Sequence, residues 1–354
     1  MAGDDRLSNL SDDLLRCILH FAPAKEGAST SALARRWRSL WLSSGAVNLD
    51  SRSYDHLDDH DKRDVIVRDA SKALAAAGGR GRPVTKFTFR YVEGEDDPWI
   101  LLRKNDIEDA KHHMSADLRA TLYSQASRHL EELRLGLFFG PRSDGPRDLY
   151  SFSIRSLSSA PALRVLHVSK CLDWDWDHLC PSRPARVTPP FPRLLELRLH
   201  QCSVSLSILQ SVVDAAPLLA TLQLDGVEFR LPALPSAAQP PAARSILIRV
   251  PRVTAIVLEN MHCWGHQGQN AMELDAPLLR CFAYRGPVRS LSLRSSPPDM
   301  TRVDLSFQVP SARVDTDDTM CRLFWKFVRN FCGANTISLD FQLSRNACLG
   351  DLCL

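Results

Sequence analysis

Hydrophobic residues near the start of the chain recur at helical spacing. The first apolar stripe consists of Leu14, Leu15, Ile18 and Leu19. Positions three and four apart lie on one side of a helix, so the pattern predicts an amphipathic helix. Ser11 is suited to cap this helix, and Asp12 and Asp13 suit the positive end of its dipole. Pro23 is expected to end it, which gives predicted bounds of about 12 to 21.

A second short helix is predicted after Pro23. Its apolar stripe consists of Leu33, Trp37, Leu40 and Trp41, and its charged residues are Arg35, Arg36 and Arg38. Ser29 or Thr30 is the expected N-cap, and Gly27 stands where a better helix former would help the helix to begin. Two helices this short cannot bury both stripes alone, so a partner or a following domain must cover them.

A different pattern, typical of leucine-rich repeats, fills the rest of the chain. The segment from Leu194 to Val204 meets every position of the strand pattern L-x-x-L-x-L-x-x-N/C-x-L. Weaker copies bring the number of candidate strands to nine. Their central residues are Phe87, Leu133, Leu166, Leu197, Leu222, Ile256, Phe282, Val303 and Ile337. Backing helices are predicted at about 64–77, 205–215 and 319–332, from apolar residues at helical spacing.

The strand residues that alternate with the leucines are expected to point away from the core, onto the concave face of a solenoid. Several of these positions carry polar or charged groups suited to contacting a protein. The candidates for target binding are Arg134, His167, Arg198, His200, Gln223, Asp225, Glu259 and Arg285. The early part of this face is basic and carries histidines, whereas the later part mixes apolar and acidic groups.

Composition limits the classes of function. The 354 residues carry 44 basic and 41 acidic side chains, a balance that argues against a nucleic-acid partner. The chain begins MAGDDR and has no apolar run long enough for a membrane span, which favours a cytoplasmic or nuclear protein without a membrane partner. Ten widely spaced cysteines indicate reduced, mostly buried thiols, and no cofactor is expected.

No catalytic arrangement is evident. Gly78-Gly79-Arg80-Gly81 follows a helix and lacks the Lys-Ser/Thr ending of a phosphate-binding loop. A metal-dependent hydrolase built on His262, Cys263 and His266 is a further alternative, although the second paired cluster of ligands that a zinc site requires is missing. We therefore predict neither a catalytic nor a metal site.

Residues 7–41 resemble the F-box of plant F-box/leucine-rich-repeat proteins. The resemblance rests on Leu10-Ser11-Asp12-Asp13-Leu14-Leu15, Ile18-Leu19, Leu33-Ala34-Arg35-Arg36-Trp37-Arg38 and Leu40-Trp41. The continuation into Val47-Asn48-Leu49-Asp50 is similar to the cereal type. The resemblance implies an α/β protein with a helical F-box at 1–50, a helical connection at 51–83 and an irregular leucine-rich-repeat solenoid at 84–354. Parallel strands would line its concave face, with helices and loops on the convex face.

The resemblance also implies a function. Such a protein is the substrate-receptor subunit of a Skp–cullin–F-box ubiquitin ligase, a non-catalytic role in which the F-box binds a Skp-type adaptor and the repeats bind a target protein. The adaptor-binding residues that it implies are Leu10, Leu14, Leu15, Ile18, Leu19, Leu33, Trp37 and Leu40. Leu33, Trp37 and Leu40 would be divided between that interface and the core of the F-box. A repeat scaffold that acts outside any ligase is the alternative.

Overall fold

The chain divides into two compact units, Met1–Leu194 and Leu195–Leu354. A computed structural model describes residues 9–30, 32, 34–79, 83–92, 122, 128–138, 150–152, 161–174, 191–230, 245–261, 271–310 and 318–344. Both units are mixed α/β, and each contains a sheet of parallel strands. This architecture is consistent with the predicted leucine-rich repeats.

The first unit opens with three short helices, α1 (Asp12–Phe21), α2 (Ala24–Thr30) and α3 (Arg35–Leu42). The prediction for α1 is confirmed at both ends. The hydroxyl oxygen of Ser11 accepts a hydrogen bond from the backbone N–H of Leu14 at 3.4 Å, and the helix ends before Pro23. Side-chain capping and a proline stop therefore set its length.

The prediction of one further helix capped by Ser29 or Thr30 is wrong. These residues form the last turn of α2, where the Ser29 hydroxyl donates to the backbone oxygen of Lys25 at 2.8 Å. Serine and threonine can satisfy a helix carbonyl in this way instead of capping an N-terminus. Helix α3 begins later, after Ala34, whose side chain makes no capping hydrogen bond.

A parallel sheet follows the helices. The strands of the first unit are β1 (Ala46–Asp50), β2 (Lys86–Val92), β3 (Glu132–Phe138), β4 (Tyr150–Phe152), β5 (Val165–Ser169) and β6 (Cys171–Trp174). Strands β1, β2, β3 and β5 pair in that order, and β4 pairs with β6. A 3-10 turn (Ser51–Tyr54) and helix α4 (Asp59–Gly79) connect β1 to β2.

The second unit repeats this arrangement. Its strands are β7 (Glu196–His200), β8 (Ser203–Ser205), β9 (Thr221–Asp225), β10 (Glu228–Arg230), β11 (Ser245–Arg249), β12 (Ala255–Glu259), β13 (Ala271–Asp275), β14 (Cys281–Gly286), β15 (Leu291–Leu293), β16 (Arg302–Pro310) and β17 (Thr336–Ser344). Its main sheet is parallel, with the order β7-β9-β12-β14-β16-β17. The helices are α5 (Leu206–Asp214) and α6 (Asp318–Arg329).

The nine predicted strands are confirmed, and their central residues are aligned across the sheets. In the first unit, Phe87 is aligned with Leu133, and Leu133 with Leu166. In the second unit one row runs through Leu197, Leu222, Ile256, Phe282, Val303 and Ile337. All of these residues except Ile337 are at most 1% exposed. The leucine pattern therefore specifies both the strands and their alignment.

Short strands also contribute a second layer, which the prediction of helices and loops alone did not include. Strands β11, β13 and β15 form a parallel sheet of their own, and β8 pairs with β10. The alternating residues Ile246, Ile248, Met272 and Leu274 of this sheet are buried. Alternation of this kind is a strand pattern, whose period of two differs from that of a helix.

Four of the repeats turn at a residue with a left-handed backbone conformation. The φ angles are 55° at Lys170, 49° at Gln201, 61° at Gly226 and 47° at Asn260. The next residue is buried in every case: Cys171, Cys202, Val227 and Met261. This explains why Cys171 and Cys202 are buried, since the turn directs the side chain at the N/C position of the repeat into the core. The expectation of mostly buried thiols is wrong for the other described cysteines, Cys17, Cys281, Cys321 and Cys332, which are exposed. None of the helices in the described ranges is long and apolar enough to cross a membrane.

The turn at Gly226 gives a testable prediction. At its φ of +61°, an added Cβ would be strained and would lie 3.1 Å from Cγ of Gln201. We expect Gly226→Ala to lower the free energy of unfolding by about 1–2 kcal/mol, measured by urea denaturation. Gly333→Ala is the control, because a Cβ there meets nothing within 4 Å. Equal losses for the two variants would contradict the role of the turn.

Candidate functional site

Helix α1 carries apolar side chains on two faces, and one of these faces packs into a core between the helices. Leu15 and Leu19 are 0% and 3% exposed and pack with Leu40 of α3. Leu14 and Ile18 are 55% and 46% exposed. Burial of a leucine side chain stabilises a protein by about 1.5–3 kcal/mol, so each exposed residue forgoes about half of that gain. The exposed face of α1 is therefore a candidate binding surface.

This arrangement corrects part of the predicted site. Leu15, Leu19 and Leu40 form the core between the helices, so they cannot present their side chains to a partner without rearrangement. Leu10 and Trp37 are half-buried against that core. Leu33 lies outside the described residues. Phe21 was not predicted, although it is 69% exposed and stands three positions after Ile18 on the same face.

We call Leu14, Ile18 and Phe21 the α1 stripe. The exposed Cys17 lies between them on the same face of the helix. Charged side chains hold the helix that carries it. Arg36 of α3 donates to Oδ1 of Asp12 at 2.8 Å and to the backbone oxygen of Leu10 at 2.7 Å. These bonds tie the N-terminus of α1 to α3, which keeps the opposite face of α1 against the core.

Gly27 permits the close packing of α2 against α3. An added Cβ at this position would lie 2.6 Å from both Cδ1 and Nε1 of Trp41. The glycine was expected only to weaken a helix. Its actual role is to make room for the indole ring, and residue spacing in the sequence gives no signal for this contact.

The C-terminal end of α1 is anchored to strands β1 and β2. The side-chain amide of Asn48 donates to the backbone oxygens of His20, at 2.8 Å, and Ala22, at 3.0 Å. The ammonium group of Lys86 lies 4.6 Å from the centre of the Phe21 ring, a cation–π contact. The C-terminal end of α1 is thereby fixed to the sheet of the first unit.

The connection after β1 is held by a buried tyrosine. The Tyr54 hydroxyl donates to Oδ2 of Asp69 in α4 at 3.0 Å. Burial is the largest cause that raises the pKa of Tyr54 above its usual value, and this hydrogen bond is the second. Lys25 of α2 donates to the backbone oxygen of Ser53 at 2.9 Å. Helix α2 and the connection to α4 are therefore joined directly.

The second candidate surface is the outer face of the two main sheets, formed by the strand residues that alternate with the buried leucines. The predicted rows are in register. Arg134 is aligned with His167 in the first unit, and His200, Asp225, Glu259 and Arg285 form one row in the second. Arg198 and Gln223 are neighbours in the adjoining row. Their role in target binding stays a prediction.

Neighbouring carboxylates reduce the predicted basic character of this face. Nε of Arg134 donates to Oε1 of Glu132 at 2.5 Å, and Arg198 forms an ion pair with Glu196. In each case the two side chains belong to one strand and stand two residues apart, so they lie on the same side of the sheet. Each arginine is partly neutralised within its own strand.

A chain of polar side chains crosses the outer face of the second unit. Nδ1 of His200 lies 2.8 Å from Oδ2 of Asp225 and donates to it, since a carboxylate only accepts. Oδ1 of Asp225 accepts from Asn260 at 3.2 Å, and Oδ1 of Asn260 accepts from Gln308 at 3.2 Å. Sequence reasoning missed Asn260 and Gln308, because neither occupies the positions beside the central leucines. These hydrogen bonds fix four side chains relative to one another.

Metal chemistry has no support among the described residues. Within them, no group of three or more His, Cys, Asp or Glu side chains could hold a metal ion. His262, Cys263 and His266 lie outside the described residues.

The repeat region matches a known family. Residues 118–285 match the family described as FBD-associated F-box protein At5g56370, LRR repeats. The chain is 33% identical over 192 residues to the F-box/FBD/LRR-repeat protein At4g26340 of Arabidopsis thaliana, which is 50% of this chain and 40% of that protein. It is 44% identical over 181 residues to the F-box/FBD/LRR-repeat protein At1g80470 of the same plant, 48% of this chain and 35% of that protein.

A third relative is the F-box/LRR-repeat protein At4g14103 of Arabidopsis thaliana, 30% identical over 126 residues. That match covers 34% of this chain and 33% of the relative. The chain thus spans well under half the length of these curated relatives. The resemblance to plant F-box/leucine-rich-repeat proteins is confirmed by these matches, and the family match itself covers part of the repeats.

The contact between Gly27 and Trp41 predicts that Gly27→Ala lowers stability, whereas helix propensity alone predicts that it raises stability. Alanine would gain up to about 1 kcal/mol of helix propensity, but displacing a packed ring is expected to lose about 1–3 kcal/mol. Gly27→Ala should therefore lower stability by about 1 kcal/mol in urea denaturation and change the tryptophan fluorescence. Ser29→Ala, exposed on the same helix, is the control. An increase in stability for Gly27→Ala would contradict the packing role.

Asp225 gives a prediction for the outer face. It accepts from both His200 and Asn260, so Asp225→Ala removes two hydrogen bonds and should lower the free energy of unfolding by about 1–2 kcal/mol. Asp304→Ala is the matched control, because Asp304 pairs with Arg302 of its own strand in an exposed ion pair. We expect a change of at most about 0.5 kcal/mol there. Equal effects in thermal or urea unfolding would show that the polar chain adds no stability.

Proposed function

We propose that this chain, which is a relative of the plant F-box/leucine-rich-repeat proteins, is the substrate-receptor subunit of a Skp–cullin–F-box ubiquitin ligase. The α1 stripe is the observation that carries the proposal. It is an exposed apolar surface on a helix whose opposite face already has a core. An apolar surface held rigidly in this way is suited to a partner protein, because binding need not order it first.

The adaptor-binding residues follow from the exposure of the side chains. Leu14, Ile18 and Phe21 are the proposed contacts with a Skp-type adaptor, and the adaptor would link the chain to a cullin. Leu10 and Trp37, which are half-buried, would lie at the edge of this interface. Leu15, Leu19 and Leu40 would support it from below. The three helices with β1 would then constitute the F-box.

The outer faces of the sheets are the proposed target-binding surfaces. In the second unit, the polar chain from His200 to Gln308 presents fixed donors and acceptors, and Glu259 and Arg285 add charges of both signs. Such a mixed surface suits a protein partner better than a nucleic acid. The chain itself would make no covalent bond, and its contribution to ubiquitin transfer would be proximity. We propose that it acts in the cytoplasm, the nucleus or both.

Adaptor binding tests the proposal. We expect full-length protein to co-precipitate with a purified plant Skp adaptor, and Leu14→Asp/Ile18→Asp to bind at least about ten-fold more weakly, because it places two charges in an apolar interface. Isothermal titration calorimetry gives the affinities.

Leu218→Asp/Leu278→Asp is the control, since these leucines are 52% and 54% exposed in turns of the second unit. It matches the chemical change and the exposure without touching α1. If wild-type protein fails to bind under conditions in which a known F-box protein binds, the ligase proposal falls and the scaffold alternative gains. If both double variants bind as well as wild type, the α1 stripe is not the adaptor site.

A further inference from the structure

The last strand of the second unit, β17, carries apolar side chains that are exposed to solvent. In β17, Ile337, Leu339 and Phe341 are 37%, 47% and 57% exposed. They are aligned with Val303, Leu305 and Phe307 of β16, which are at most 2% exposed. The same inward positions that are buried in every other strand of this sheet are therefore open to solvent in β17.

Helix α6 extends the open surface. The ring of Phe324 lies 5.8 Å from the ring of Phe341 and 5.2 Å from that of Trp325. Trp325 is 61% exposed. Met320, one turn before Phe324, is 41% exposed. We call these five exposed residues, Met320, Trp325, Ile337, Leu339 and Phe341, the β17 patch. A group of neighbouring exposed apolar side chains indicates a binding site more strongly than single exposed residues do.

The backbone of β17 is also available for pairing. The strand occupies the end of the main sheet and pairs with β16 over residues 336–344. The N–H of Thr336 donates to the backbone oxygen of Thr301, so the amide groups of alternate residues from 336 point towards β16. Those of Ile337, Leu339 and Phe341 therefore point to the free edge. Among the described residues, the edge has no strand paired to it.

The usual protection of an edge strand is missing. Exposed edges commonly carry lysine, proline or a bulge that prevents pairing with another strand. The only charged residue of β17 is Asp340, which is on the outer face and accepts hydrogen bonds from Ser306 and Gln342. The carboxylate is thus engaged with its own sheet and does not block the edge.

We propose that β17 pairs with β17 of a second copy of this chain, antiparallel and centred on Leu339. This register makes the strand complementary to itself. It places Leu339 opposite its own copy, Ile337 opposite Phe341, Ser338 opposite Asp340 and Thr336 opposite Gln342. Apolar residues face apolar residues, and the carboxylate faces a hydroxyl.

Charge disfavours the neighbouring register that is centred on Asp340. That register would place Asp340 opposite Asp340, and like charges directly opposite each other destabilise a strand pair. The other neighbour, centred on Ser338, would leave Phe341 opposite Asn335 outside the strand. The Leu339-centred register avoids the repulsion between the carboxylates. It also brings the two β17 patches together on one side of the joined sheet. Because the same patch is used by both copies, the contact closes as a dimer and does not extend further.

The oligomeric state of the full chain tests the proposal. We expect sedimentation velocity and light scattering to show a concentration-dependent dimer. Leu339→Lys should raise the dissociation constant at least about ten-fold, since two ammonium groups would then face each other. Ser338→Lys is the matched control on the same strand, because the new lysine would lie opposite Asp340 and should leave the dimer equal or tighter.

Cross-linking tests the register. Opposite residues that exchange backbone hydrogen bonds have Cα atoms about 5.5 Å apart, within the range that a disulfide spans. Leu339→Cys should therefore form a disulfide-linked dimer. Ile337→Cys should not exceed wild type, because its copy would lie about 14 Å away along the strand. Wild-type protein is the background for the exposed Cys17, Cys281, Cys321 and Cys332.

The outcomes are distinct. A monomer at all concentrations, or open-ended aggregates in place of a dimer, would overturn the proposal. Equal weakening by Leu339→Lys and Ser338→Lys, with both variants folded by circular dichroism, would also overturn it. Adaptor binding through the α1 stripe is independent of β17, so failure of one proposal leaves the other intact.

Discussion

The buried rows of apolar residues that run across the parallel strands are the constraint on which the rest of the molecule depends. Each strand contributes two or three inward side chains, and the neighbouring strand covers them. In the second unit, Leu197, Leu222 and Ile256 belong to one such row. A left-handed turn after the strand then directs a further side chain inward. Because these positions carry the stability, the alternate positions can vary with function.

This constraint explains what the sequence could and could not predict. The strands and their register follow from the spacing of leucines, since a slip by one residue would expose the whole apolar set. Helix α1 followed from Ser11 and Pro23, which act locally. The boundary between α2 and α3 did not, because Ser29 and Thr30 are equally suited to bonding a carbonyl or capping a helix. That choice depends on tertiary contacts.

For the candidate site, the sequence predicted the helix but not which of its apolar residues are exposed. Periodicity identified α1 as a helix with adjacent apolar pairs, but Leu14 and Leu15 have the same chemistry and point to different faces. Only the packing of Leu40 decides that Leu15 belongs to the core. The contact of Gly27 with Trp41 and the link between Asn260 and Gln308 also require coordinates, since their partners are 14 and 48 residues away.

Exposure of large apolar side chains is concentrated where the internal packing ends. Ten such residues are strongly exposed within the described ranges, and eight of them belong to α1 or to α6 and β17. The other two, Leu218 and Leu278, stand singly in turns, as is normal on a protein surface. Incidental exposure would scatter these residues over the surface. Exposure that serves partner binding would cluster them on elements whose other side is packed. Helix α1 meets that condition, because Leu15 and Leu19 on its other face pack with Leu40. In β17 the exposed apolar residues stand at the end of the sheet, where Phe341 lies beside the buried Phe307 of β16.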